Sequence, residues 1–384
     1  MKVNKIFTVL FFFGLSIKCA YSQELGLNFN HNPENIDFKY VEKIKPKWIR
    51  TTPRILDYAD GLLNPDTDPG IQKLVDAGKQ GYQIAFGFRW DFKNRNLAMP
   101  EPGAEREAFY FKIVDKILER VGPYVDIFTL GNEPNLESIE SDLQYSEGNK
   151  VPLVVFTEQL LNHVTEFYKK HPDWKMPQFY TGSLPALFEK KEQNTPGVYE
   201  LIKFTQQRDD IEGLAIHLHI RDTIQIEQAF NFVRNIMPEK PIIVPEFSLF
   251  RLYNRNFGNK IGASLKGREF AKKYRLDPNL KIHEWLTLVH AGKVPYRQWE
   301  ELFLSQEWYV PGYLKTYYRY FKKYNVSLAT YPLLQQGFAK IVTEKSASWF
   351  LNPLFLQKSF GLNNKGEYYV NPLSYPDYIE LMKK

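Results

Sequence analysis

Val125-Asp126-Ile127-Phe128-Thr129-Leu130 is a short apolar run that ends in Gly131-Asn132-Glu133-Pro134, a turn carrying a carboxylate. Pro241-Ile242-Ile243-Val244-Pro245 repeats the pattern and ends in Glu246-Phe247. Runs that are apolar on both faces are what parallel strands buried on both sides require. Working outward, six more such runs occur, at Glu24–Asn30, Lys47–Thr51, Tyr82–Phe88, Gln178–Gly182, Gly213–His217 and Val326–Tyr331. Helical patterns fall between them, among them Asn35–Ile44, Glu105–Val121 (stopped by Gly122-Pro123), Phe156–Lys170 and Ile224–Ile236. Strands alternating with helices in this way predict an α/β fold, a single (β/α)8 TIM barrel. One spacing is irregular. Roughly 80 residues lie between the seventh and eighth runs, far beyond an ordinary connection. The excess, about 250–306, predicts a helical insertion after strand 7, on the face where the C-terminal ends of barrel strands gather. The barrel domain is expected to span 23–384.

The N-terminus reads as a targeting segment. Lys2 and Lys5 precede an apolar stretch from Ile6 to Ile17, and Ala20-Tyr21-Ser22 before Gln23 fits a cleavage site, so residues 1–22 are expected to be a signal peptide and the protein to be exported. The apolar stretch is shorter than the ~20 residues of a membrane span. Cys19, the only cysteine, would leave with it. The formal charge of +6 is halved by loss of Lys2, Lys5 and Lys18, which leaves too little to imply a nucleic-acid partner. One local excess is stronger. Arg251 to Arg275 holds eight cations, Arg251 and Arg255 first, and a single acid, Glu269. Lying just after Glu246, it predicts either a solvated helix face or contact with a negatively charged ligand. Aromatic residues make up 16% of the chain, most of them expected in the core.

In a barrel, residues distant in sequence meet at the C-terminal ends of the strands. Two carboxylates meeting there suit glycosidic bond cleavage, in which one carboxyl protonates the leaving oxygen while the other attacks the sugar or activates water. Asn132-Glu133-Pro134 on the fourth run and Pro245-Glu246-Phe247 on the seventh resemble the motifs of the clan A retaining glycoside hydrolases. That resemblance implies a (β/α)8 barrel without cofactor acting on a polysaccharide or oligosaccharide, and the charge excess after Glu246 then suggests an anionic glycan, sulfated or uronic-acid-bearing, contacted by Arg251 and Arg255. It makes Glu133 the acid/base, Glu246 the nucleophile and Asn132 a partner of the sugar's 2-hydroxyl. It also places Arg50, at the end of the second run, beside the nucleophile. Arg50 would hold Glu246 ionised, and the charge of Glu246 would raise the pKa of Glu133. A carbohydrate-binding barrel without hydrolytic activity is the rival reading.

The family often has His-x-Tyr at the end of strand 6. Here His217 matches the histidine, but His219 stands where tyrosine is expected. Two histidines two apart share a strand face, which raises metal ligation; no third ligand motif and no nearby cysteine accompany them, so no metal is expected. Further candidates for the cleft are Asn30 and His31 after the first run, and Arg89, Trp90 and Asp91 after the third. Trp90 is expected to stack on sugar. Tyr331 and Trp349, after the eighth run, compete for the aromatic floor.

Overall fold

The computed structural model describes residues 23–384; the targeting segment read at 1–22 lies outside them. Eight parallel strands close into a barrel: β1 Glu24–Asn28, β2 Trp48–Thr51, β3 Gln83–Gly87, β4 Val125–Thr129, β5 Gln178–Pro185, β6 Gly213–His219, β7 Ile242–Ser248 and β8 Val326–Pro332. β1 pairs with both β2 and β8, so no edge is left open. All eight strands fall where the apolar runs placed them. Helices such as Glu105–Val121, Pro152–Lys169 and Pro196–Gln207 form the outer layer, burying Ile117, Leu160 and Leu201 among others against the strands.

Strand side chains alternate between two cores. The inward set Trp48, Ala85, Ile127, Tyr180, Ala215, Ile243 and Leu328 fills the barrel. The outward set, including Ile49, Phe86, Phe128 and Tyr331, packs under the helices. One pleat beyond the inward core, the same faces present Asn28, Arg50 and His217, with Asn28 opposite Arg50 in the β1–β2 register. A barrel core capped by polar groups at its C-terminal end is where this fold builds sites.

Strands β5 to β8 all run further than expected, β5 and β7 the most. β7 continues through Pro245 to Ser248, because the β6–β7 register shifts between Ala215 and His217, and that bulge brings His217 opposite Glu246. A proline lacks the N–H a ladder needs, and a bulge is where a strand tolerates one. β5 likewise passes a register shift at Gly182/Leu184. Gly182 sits at φ 93°, and a Cβ there would lie 2.3 Å from the Ala215 carbonyl oxygen, so only glycine fits.

The excess after β7 is four helices, Phe250–Asn256, Leu265–Tyr274, Ile282–His290 and Gln298–Leu304, before the crossover helix Tyr313–Lys323. Their buried Leu252, Phe270, Trp285 and Trp299 join the outer core of the barrel.

Candidate active site

Arg50 organises the C-terminal mouth of the barrel. Its side chain is 1% exposed, and Nη1 lies 2.6 Å from Glu246 Oε1. Nη2 donates to Asn132 Oδ1 at 2.7 Å, and Nη1 also reaches Asn28 Oδ1 at 3.1 Å and Asn30 Oδ1 at 3.2 Å. One guanidinium therefore ties together β1, β2, β7 and the turn after β4. Asn132 is fixed from its other end as well, with Nδ2 donating to Glu137 Oε1 at 3.1 Å. Glu137 in turn lies 2.7 Å from Arg89 Nε.

Glu133 leads the short helix Pro134–Glu137 in a left-handed conformation, φ 45° and ψ 44°. A non-glycine residue seldom adopts it. The loop is held from β5: the Glu133 N–H donates to the Ser183 carbonyl at 3.0 Å, and the Ser183 N–H donates to the Gly131 carbonyl at 3.2 Å. The extra length of β5 is thus what positions the carboxylate on β4's turn.

His217, fully buried, lies between the two carboxylates. Its Nδ1 is 3.1 Å from Glu133 Oε1 and its Nε2 is 3.7 Å from Glu246 Oε1. His219 places Nε2 3.5 Å from Glu246 Oε2, with Nδ1 2.7 Å from Ser248 Oγ. With the serine hydroxyl donating to Nδ1, the Nε2 proton points at Glu246, so His219 contacts Glu246 from the position where a tyrosine is expected.

Electrostatics separate the two glutamates. Burial pushes the Glu246 carboxyl up, but the charges of His217 and Arg50 and the His219 contact outweigh it and hold it well below the ordinary glutamate range. For Glu133, burial also pushes up, and His217, by hydrogen bond and charge, wins and sets it below that range. Glu246 does raise Glu133, as expected, but the effect is smaller than that of His217, so the net direction is down. Burial lowers His217 itself below its ordinary 6.5. Glu133 and His217 then behave as a pair that shares a proton at acidic pH and has lost it at neutral pH.

The cleft beside these groups has a volume of about 280 Å³, near the small end of ligand sites. Glu133, Glu246 and Asn132 line it together with Asn30, His31, Arg89, Gln336 and Trp349. No family model matches the chain and no curated protein matches it. Among solved structures it is similar to a GH5 cellulase from an Icelandic hot spring isolate (13% identity, TM-score 0.48, 94% of this chain and 89% of that one). It is also similar to a β-glucosidase from Exiguobacterium marinum (10%, 0.49, 96% and 99%) and to a psychrophilic glycoside hydrolase family 10 endo-β-1,4-xylanase (12%, 0.43, 82% and 87%). At such values the likeness carries no argument about chemistry. The site itself must.

The expected residues divide clearly. Glu133, Glu246, Asn132, Arg50, His217, His219 and Asn30 come together. Trp90 does not: it is 5% exposed and packs edge-on against Phe156, with ring centroids 4.9 Å apart, inside the outer core. Its strand parity is that of Phe86 and Phe88, away from the cleft, while Arg89 points in. Tyr331 is fully buried with its hydroxyl on Tyr313 and the Asn352 carbonyl, on the outward parity next to Thr330. Trp349 is the aromatic residue of the cleft, stacked on Phe250 at 3.7 Å and edge-on to His219. Asp91 is buried and paired with Arg95 at 2.8 Å. Glu137, four residues past Glu133, was not anticipated, though its place one helical turn on was a readable signal.

The basic segment is mostly not at the cleft. Arg251 is half-buried, paired with Glu189 at 3.2 Å and within electrostatic reach of Glu133. Arg255 is exposed and does not line the cavity, and Lys260, Lys266, Arg268, Lys272, Lys273 and Arg275 are exposed too. For a metal, the third ligand that spacing did not reveal is Glu133: its carboxylate and ring nitrogens of His217 and His219 lie within 4.8 Å of one another. The Arg50 cation at the same cluster opposes a second positive charge there.

Removing Arg50 leaves Glu246 buried without its counter-charge. Arg50→Met is expected to destabilise the protein by about 3–5 kcal/mol, read by urea denaturation. A loss below about 1 kcal/mol would show that Arg50 does not organise the mouth.

Proposed function

We propose that the chain is a retaining β-glycosidase that cleaves a polysaccharide or oligosaccharide by double displacement, acting after export. The observation that supports this most is a buried glutamate, held as the carboxylate by Arg50, that faces a second and more accessible glutamate across one imidazole. Glu246 attacks the anomeric carbon while Glu133 gives its proton to the leaving oxygen. Glu133 then takes a proton from water as the water displaces Glu246 from the sugar. Asn132, already bonded to Arg50 and Glu137, keeps one amide hydrogen for a sugar hydroxyl. Trp349, backed by Phe250, offers aromatic surface to the ring. Neither Arg251, which is paired with Glu189, nor Arg255 lines the cleft, so the expected contact of the two with an anionic glycan loses its support.

The active protonation state has Glu246 ionised and one proton on the Glu133–His217 pair. Glu246 is lowered, so it is charged well into the acidic range; His217 is lowered too, so the pair's last proton leaves early as pH rises. The alkaline limb of kcat/KM is therefore expected below 6.5. A limb above pH 8 would contradict this protonation scheme. The function itself is tested by incubating the purified protein with a panel of polysaccharides at pH 4–8 and analysing the products. New reducing ends are expected on at least one glycan. Binding without cleavage across the whole panel would overturn the assignment.

A further inference from the structure

Two arginines follow β2 and β3 on the arc of the barrel away from the insertion: Arg89 lines the cleft, and Arg54 has no protein counter-ion among the described residues. Arg54 is half-buried, its Nε is enclosed, and among the described residues its guanidinium makes no ion pair or hydrogen bond. A buried N–H without a partner is costly unless something else satisfies it, and the rest of the guanidinium is left free to bind. Its backbone is clamped to that of Arg89: the two form a parallel bridge, with the Arg89 N–H on the Pro53 carbonyl at 3.0 Å and the Ile55 N–H on the Arg89 carbonyl at 3.1 Å. Arg89 itself lines the cavity that holds Glu133 and Glu246. Its one acidic partner, Glu137, is pushed well above the ordinary glutamate range by burial, which makes it a weak counter-ion.

His31 reports the field these groups create. It lines the same cavity and has no hydrogen-bond partner among the described residues. Burial, then Arg54, Arg89 and Arg50, push its imidazole down to about 4, with only Glu246 acting the other way. The arc is positive, partly dehydrated and short of anions. Glu246 is already taken by Arg50.

We propose that Arg54 and Arg89, with His31, form an anion subsite that binds the carboxylate or sulfate of a charged sugar lying in the catalytic cleft. This rests on the glycosidase reading and gives it a substrate class. A planar guanidinium pairs with two oxygens of either group at once, and a partly buried site is screened by salt less than a surface one. Arg54 has an unused fork for this, and Arg89 stands beside it at the cavity wall.

The test compares acidic polysaccharides, a glucuronate-bearing one and a sulfated one, with their carboxyl-reduced and desulfated forms. Wild-type and Arg54→Met enzymes are assayed for cleavage, and Glu246→Gln for binding by calorimetry. Wild type is expected to prefer the charged form of one pair by about ten-fold or more in kcat/KM, and Arg54→Met to bring that ratio toward one, mainly through KM. Arg54→Lys should restore part of the preference, which a merely structural role would not. Loss of preference on carboxyl reduction identifies the carboxylate; loss on desulfation identifies the sulfate. Cleavage of charged and neutral forms at equal rates, or a preference that survives in Arg54→Met, overturns the subsite and leaves the glycosidase intact. A protein that neither binds nor cleaves any of these glycans, nor any neutral one, overturns both.

Discussion

Glu246→Gln is expected to lower kcat by a factor on the order of 10⁴ or more on any glycan the native enzyme cleaves. The amide keeps the shape of the side chain and an oxygen for Arg50, which donates to Oε1 at 2.6 Å in the native protein. Binding should therefore persist while covalent chemistry stops, because an amide oxygen is a poor nucleophile. The measurement is steady-state turnover beside calorimetric affinity on the same glycan. Near-native turnover would remove Glu246 from the chemistry. Loss of affinity and turnover together would point instead to collapse of the Arg50 network.

Glu133→Ala is expected to act differently on different substrates. With a poor leaving group, kcat/KM should fall by about 10²–10⁴, the usual worth of general acid catalysis. With an activated aryl glycoside the first step needs little proton donation, so the loss should be much smaller and the glycosyl-enzyme should accumulate. Truncation leaves space beside the cleft, and azide entering it should restore turnover and yield a β-glycosyl azide. A uniform loss on all leaving groups, without azide rescue, would contradict the acid/base role.

The strands were legible because barrel strands buried on both faces leave unbroken apolar runs, and β4 and β7 ended in carboxylates. Strand ends were less legible. Pro245 reads as a terminator, yet the structure uses it inside a bulge that turns Glu246 toward His217. Trp90 and Tyr331 lie outside the cleft by strand parity: each is one residue from an inward neighbour, Arg89 and Thr330, and so faces the helices. Trp349 could not be chosen from sequence, since a loop brings it back to the mouth. There the Ser348 hydroxyl donates to the Phe250 carbonyl at 3.0 Å. The charge excess after β7 was real as composition but is spread over exposed helix faces. Arg54, unpaired among the described residues, carries no compositional signal at all, because a missing partner is visible only in three dimensions.

The central claim is that Glu246 forms a covalent bond to the sugar. It is tested most directly by reacting the enzyme with an activated 2-deoxy-2-fluoro glycoside of the sugar it cleaves, then digesting the protein and mapping the adduct by mass spectrometry. The account predicts one added sugar on the peptide containing Glu246, absent in Glu246→Gln. Turnover of the natural glycan with inversion of the anomeric centre, or a sugar adduct on any other residue, would contradict it.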